Sequence, residues 1–473
     1  MALADTARVA APTPVRSVST TNACRMCMPL GASLALAGFE GTVPFLHGSQ
    51  GCATYIRRYL ISHFREPMDI ASSSIAESST VFGGESALVD GIANVARVYR
   101  PAMIGVATTC LTETIGEDVG GALARIDGCR PEPADPAADG SVSPTGAAPA
   151  LVHVSTPAYA GTHVDGYQAA VAATVGALAE PGAPTEQVVV LPGLVSPADL
   201  RHLREVVDGF GLSHLLVPDI SDRLDAGVAE EYQRLPPGGT PLAEAAAACR
   251  ARAAVTLGGL VSPGTALAGE LLEDRFGVAH HRLALPIGIR LTDALVETLE
   301  GLGGTAPHWL DAERGRLVDA YVDGHKYLAE RTAVLFGDED LVLGLAVWLA
   351  EIGVTPAACV TGGRSGRLAA ELVRLAPELD GRVTVVDDGD FAEVEELVRA
   401  LSPDLLVGHS RGYPLSRALD VPLVRVGLPI HDRVGAARTR HLGYRGTQEL
   451  FDRVTNALIE RRQDESAVGY AYM

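Results

Sequence analysis

The last third of the chain alternates short, wholly apolar runs with longer helical patterns, and this alternation restricts the fold more than any other feature. Strand-like runs stand at 333–336, 358–360, 383–386, 405–407 and 423–426, with helical patterns at 340–352, 367–375 and 391–401. A strand that is apolar on both faces must be covered on both faces, which is the condition of a parallel sheet between helices. Right-handed crossovers then give a doubly wound, Rossmann-like unit. Runs at 188–191 (halted by Pro192-Gly193), 215–217 and 254–257 repeat the signal upstream.

At 473 residues the chain is too long for one core. The reading is therefore α/β, with three Rossmann-like domains whose parallel sheets are flanked by helices. A flexible leader is expected at 1–20. A first domain at 21–185 carries most of the cysteines and a Pro/Ala/Gly/Ser-rich surface loop at 130–150. The second domain spans 186–330, and the third spans 331–473 with a C-terminal helix.

A formal charge of −20 lacks the basic stripe of a nucleic-acid binder, so no nucleic-acid partner is expected. No apolar run approaches the ~18–20 residues of a membrane helix, and the most apolar helical pattern, 341–349, soon meets Glu351. No membrane partner is expected, and residues 1–20 lack the apolar stretch of a secretory signal. The expected location is cytoplasmic. Gly-rich turns follow several strands, at Gly337-Asp338, Gly362-Gly363 and Gly408, but no GxGxxG fingerprint and no Walker-type loop occurs. The sheets read as scaffolding rather than as a nucleotide site.

Four of the seven cysteines, Cys24, Cys27, Cys52 and Cys110, fall in the first quarter of the chain. In a reducing compartment such a cluster serves metal binding, catalysis or core packing. The segments read Cys27-Met-Pro-Leu-Gly-Ala, His47-Gly-Ser-Gln-Gly-Cys52 and Ala107-Thr-Thr-Cys110-Leu-Thr-Glu113. Each is a loop or helix-start context, where backbone N–H groups can point at a negatively charged sulfur. The spacing is too wide for a zinc ribbon, and no second CxxC completes the pair Cys24–Cys27. The residues alone leave an iron–sulfur site and buried structural thiols both open.

These segments, with RRYLISHFREP after Cys52, VFGG at 81–84, TPAYAGTHVDG at 156–166, ERGRLVD at 313–319, PLVRVGLPIHDR at 422–433 and LGYRG at 442–446, resemble the nitrogenase component-1 superfamily, β-chain type. The likeness runs in order from about residue 20 to the end. It implies the nitrogenase component-1 fold and a β-type subunit of a nitrogenase-like reductase, an oxidoreductase. By the same resemblance Cys27, Cys52 and Cys110 supply this subunit's share of a bridging P-cluster-type iron–sulfur cluster, of eight irons or a related form. Thr162 matches the family's redox-switchable serine ligand. The implied partners are an α-type sister subunit in an α2β2 heterotetramer and an ATP-dependent iron protein that delivers electrons. The substrate-reducing cofactor, and so the substrate site, falls to the partner, and no catalytic residue is assigned here. Cys24 is extra to the pattern and is read as a bystander, as are Cys129, Cys249 and Cys359.

Asp319 and Asp323 lie four apart on a helix expected to start near Asp311, and so share a face. In the family the matching pair joins a glutamate, here Glu66, around a divalent cation at the β–β interface. An oxygen-only set suits a hard cation. The plainer alternative is an aspartate pair neutralised by Arg314 or Arg316. His47 is read as a loop-orienting residue, and Arg65 and His431 receive no chemical role.

Within the superfamily the wording departs from nitrogenase proper at Thr162, in a shorter N-terminal segment and at the closing residues AVGYAYM. Those departures point to the β-type subunit of methylthio-alkane reductase, which cleaves C–S bonds reductively. The alternatives are an assembly scaffold for the nitrogenase cofactor, the nitrogenase β chain itself, and a structural subunit without a cluster.

Overall fold

Strands whose side chains are apolar on both faces leave water only when helices cover both faces, and the chain builds three such sheets. The structure, a computed structural model, describes residues 24–128, 148–228, 231 and 233–468. The expected leader, Cys129 and most of the 130–150 loop lie outside the described residues; Ala150 already opens a strand.

The first sheet holds β1 (Thr42–His47), β2 (Ala71–Ser72), β3 (Met103–Thr108) and β4 (Ala150–Val154), in the order β2-β1-β3-β4. The second holds β5 (Val188–Leu191), β6 (His214–Leu216), β7 (Ala253–Leu257) and β8 (Ala279–Leu283), ordered β6-β5-β7-β8. The third holds β9 (Thr332–Gly337), β10 (Thr355–Thr361), β11 (Thr384–Val386), β12 (Leu405–Gly408) and β13 (Leu423–Arg425), ordered β11-β10-β9-β12-β13. Every pairing among the described residues is parallel.

Each sheet winds first to one side of its opening strand and then returns to build the other. The reversals fall between β1 and β3, β5 and β7, and β9 and β12. Beyond the carboxyl ends of such strand pairs, α/β proteins leave a crevice where ligands sit.

The five runs anticipated in the last third are the five strands of the third sheet, with ends shifted by up to three residues. The largest shift is at β10, whose first residues Thr355-Pro356 interrupt the apolar run where the register slips against β9. The first sheet was less legible. Pro44 lies inside β1, and β2 reaches only Phe45 and Leu46, so at Pro44 the strand is open on that side, as proline requires. One apolar core joins the second and third sheets with the C-terminal helix Gly443–Glu465, through Leu450, Phe451 and Val454. Another joins the first and second sheets. No described helix is long and apolar enough to cross a membrane.

Candidate metal centre

Cys52 and Cys110 arrive at one place because their strands are neighbours. His47, the last residue of β1, pairs with Thr108, the last of β3. Three residues on from His47 the helix Gln50–Phe64 begins, with Cys52 in its first turn; Thr109 leads into the helix Cys110–Ile115. Both thiols therefore stand at the reversal point of the first sheet. Cys27 comes from another direction, as the extended N-cap of the helix Met28–Ala37, at φ −77° and ψ 152°.

The three thiols act on one another electrostatically. Burial pushes the Cys27 thiol up to about 11, and charge on Cys52 or Cys110 would push it the same way. Left empty, Cys27 is a thiol; only a bound cation makes it a good ligand at neutral pH. Each sulfur stands at a helix start, where unpaired N–H groups favour negative charge. Cys27 and Cys52 are half-buried against the same core, whereas Cys110 is exposed. Among the described residues no three His, Cys, Asp or Glu side chains converge tightly enough to hold one metal ion. The three thiols of a single chain are therefore not gathered around one ion, and Cys110 is the one open to solvent.

The loops beneath the thiols are held hard. His47 Nδ1 meets Ser73 Oγ at 3.0 Å, and its Nε2 pairs with Glu117, whose other oxygen accepts Gly84 N–H. The Thr109 N–H and the Thr112 hydroxyl both donate to the His47 carbonyl, at 3.2 and 3.0 Å. Ser49 Oγ lies 3.5 Å from Cys52 Sγ. His47 therefore orients the loop, as its sequence context suggested.

Cys24 faces a different interior. It packs with Phe336, Val360 and Phe391 in the core of the third sheet, and burial drives its thiol far up. Cys249 and Cys359 are likewise buried in apolar cores.

Thr162 caps the helix His163–Leu178. Its Oγ1 accepts Val164 N–H at 3.2 Å and Asp165 N–H at 3.3 Å, while Asp165 Oδ2 accepts Thr162 N–H at 2.6 Å. This helix crosses the one that follows Cys27 with no side chain between them: a Cβ added to Gly31 would lie 1.6 Å from the His163 carbonyl oxygen, and one on Gly166 would lie 2.0 Å from that of Met28. His163 N donates to the Met26 carbonyl at 3.0 Å, and Met26 N to His163 Nδ1 at 3.3 Å. Thr162 and Cys27 therefore flank one contact, although the hydroxyl is already committed to the cap.

A family model described as nitrogenase component 1 type oxidoreductase matches residues 27–459. The chain belongs to that family. The nitrogenase molybdenum-iron protein beta chain of Clostridium pasteurianum is 32% identical over 95% of each chain. That of Methanothermobacter thermautotrophicus is 34% identical over 92% of this chain and 93% of the relative, and that of Frankia alni 35% over 94% and 84%. The solved structure "Nitrogenase Cp1 at pH 6.5" superposes with a TM-score of 0.90 at 30% identity, covering 98% of both chains. The three-sheet α/β fold is therefore that of nitrogenase component 1.

Within one copy of this nitrogenase component 1 chain, the described residues do not bring the three carboxylates together. Asp319 and Asp323 are exposed on the helix His308–Leu328, which starts three residues earlier than expected, behind Pro307. Glu66 is half-buried elsewhere; burial and nearby Asp225 raise its carboxyl, against Arg438. Any site made of all three needs two copies of the chain. Of the two arginines offered as neutralising partners, Arg314 is engaged elsewhere, in a two-pronged ion pair with Asp293 at 2.8 to 3.2 Å.

Proposed function

We propose that this chain is the β-type subunit of a nitrogenase-like reductase, in which Cys27, Cys52 and Cys110 supply one side of a P-cluster-type iron–sulfur cluster shared with an α-type sister subunit. The observation that carries the reading is the convergence of three thiols from three helix starts, with Cys110 open toward the place a partner would fill. When bound, such a cluster stores and passes single electrons, here between an ATP-dependent iron protein and a cofactor on the α-type subunit. The chain's own residues hold the thiols in place: helix N-termini favour thiolate, the His47–Glu117–Gly84 link fixes the Cys52 loop, and the glycine-mediated crossing sets the height of Cys27. An α2β2 assembly in the cytoplasm follows, with Glu66 of one β-type copy and Asp319 and Asp323 of the other around a divalent cation.

For the substrate we assign reductive C–S cleavage of methylthio-alkanes, releasing methanethiol and a hydrocarbon. Thr162 supports this: its cap geometry and extra methyl group differ from a serine free to ligate iron. A second reading, the nitrogenase β chain itself, is favoured by identities of 32–35% to chains of that name.

The test is anaerobic co-purification with the sister subunit, followed by iron counting and EPR of the reduced and oxidised protein. Cluster iron should be present and should fall in Cys27→Ala, Cys52→Ala and Cys110→Ala, but not in Cys359→Ala. A wild-type complex without cluster iron would overturn the reading. Turnover of methylthio-ethanol or of dinitrogen then separates the two substrates, and cofactor hand-over without turnover would identify a scaffold instead.

A further inference from the structure

Away from the cysteines, the three sheets enclose a cavity of about 50 Å³. Its walls come from the end of the helix Gln50–Phe64, from the turns after β5 and β8, and from the stretches following β9 and β13. None of its lining residues is exposed. Most of the wall is apolar, with Leu194, Leu285, Leu428 and Ile430 prominent. Space for a water needs about 10–15 Å³ on this measure, so the cavity takes roughly three to five non-hydrogen atoms.

Its polar edge comes chiefly from two histidines. His63 is fully buried, and burial pushes its imidazole down to about 3, so the ring is neutral. Its Nδ1 accepts Ile430 N–H at 2.9 Å, which leaves the proton on Nε2. His441 is turned by Asp199: its Nδ1 lies 3.3 Å from Asp199 Oδ2, and the carboxylate also accepts the N–H groups of His441 at 2.7 Å and Leu442 at 2.9 Å. His441 Nε2 is then buried with no hydrogen-bond partner among the described residues. Of the other polar linings, Ser196 donates to the Thr439 carbonyl at 2.7 Å, and an Asp338 oxygen comes within 3.0 Å of His163 Nε2 without forming a hydrogen bond. A buried imidazole nitrogen left unpaired costs about 1–3 kcal/mol, so something should satisfy it. Water alone would satisfy it at the expense of apolar walls that gain nothing from water.

We infer that this cavity is a binding site for a small molecule with one polar end and a short hydrocarbon body, of the class of the short monohydric alcohols. A hydroxyl suits the site because it accepts from His63 and can donate to or accept from His441, whichever tautomer His441 holds. The inference is independent of the cluster and of the substrate assigned above.

The test uses the purified assembly. Crystals are pressurised with xenon and, separately, soaked in ethanol, and xenon-129 exchange NMR follows competition in solution. Expected are xenon among Leu194, Leu285 and Leu428, and ethanol with its oxygen at the two imidazoles, displacing xenon at millimolar concentration. His441→Leu should retain xenon and weaken ethanol at least tenfold, while Ala436→Phe should exclude both. Should Ala436→Phe fail to fold, the competition in the wild-type assembly still decides. Ordered water in place of both probes, or ethanol that binds His441→Leu unchanged, would overturn the assignment.

Discussion

His163 Nε2 lies 3.0 Å from Asp338 Oδ1, which ties the segment before Cys27 to the third sheet. The same imidazole accepts the Met26 N–H on its other nitrogen, so one side chain joins two elements distant in sequence. His163→Ala removes the close approach to Asp338 and leaves Met26 N–H unbonded. The expected loss is about 2–4 kcal/mol by chemical denaturation. His163→Ala combined with Asp338→Asn should cost at least about 0.5 kcal/mol less than the two separately, because they share one interaction. Strict additivity would show that the pair does not couple the elements.

Gly31 can be tested against Gly315. Any side chain at Gly31 must push the His163 backbone away, so Gly31→Ala should cost at least about 3 kcal/mol and reduce bound iron. Gly315 has open space around it on an exposed stretch of helix, and Gly315→Ala should be neutral or stabilising by up to ~1 kcal/mol. Paired thermal melts measure the contrast.

Glu339 supplies a pH dependence. Burial, followed by nearby Asp387 and Asp340, raises its carboxyl to about 8, against hydrogen bonds from Ser365. The folded state therefore holds a proton that the unfolded chain releases near pH 4.5. Stability contributed by the protonated group is fully present below that pH and is lost as pH climbs toward 8. Glu339→Gln should flatten this slope and raise the melting temperature at pH 8 relative to wild type. An unchanged slope would place the titration elsewhere.

Asp319 and Asp323 are exposed, with no ion pair among the described residues, so Asp319→Asn with Asp323→Asn should leave subunit stability within about 0.5 kcal/mol of wild type. The assembly should differ: by native mass spectrometry the wild-type tetramer should loosen with a chelator, and the variant should be equally loose without one.

Much of the third sheet can be read directly, because a strand buried on both faces has to be apolar along its whole length. The first and second sheets hide strands where that rule relaxes. β8, Ala-His-His-Arg-Leu, is an edge strand partly open to water, and its polar residues mask it. β1 carries Pro44 and ends in a histidine. The cysteine loops stand out because glycine, proline and small polar residues around a thiol mark a chain turn. What the sequence could not disclose is who holds whom. Arg314 is four residues from neither Asp319 nor Asp323 and pairs instead with Asp293, and the Thr162 hydroxyl is taken by its own helix.

Cys24 is anchored in one sheet's interior and Cys27 leans on another's, with only Arg25 and Met26 between them. So short a tether has no slack, spanning at most ~10 Å when fully drawn out. A sideways displacement of the third sheet would therefore pull on the backbone at Cys27, so the position of that thiol follows the third sheet as well as the core it rests against.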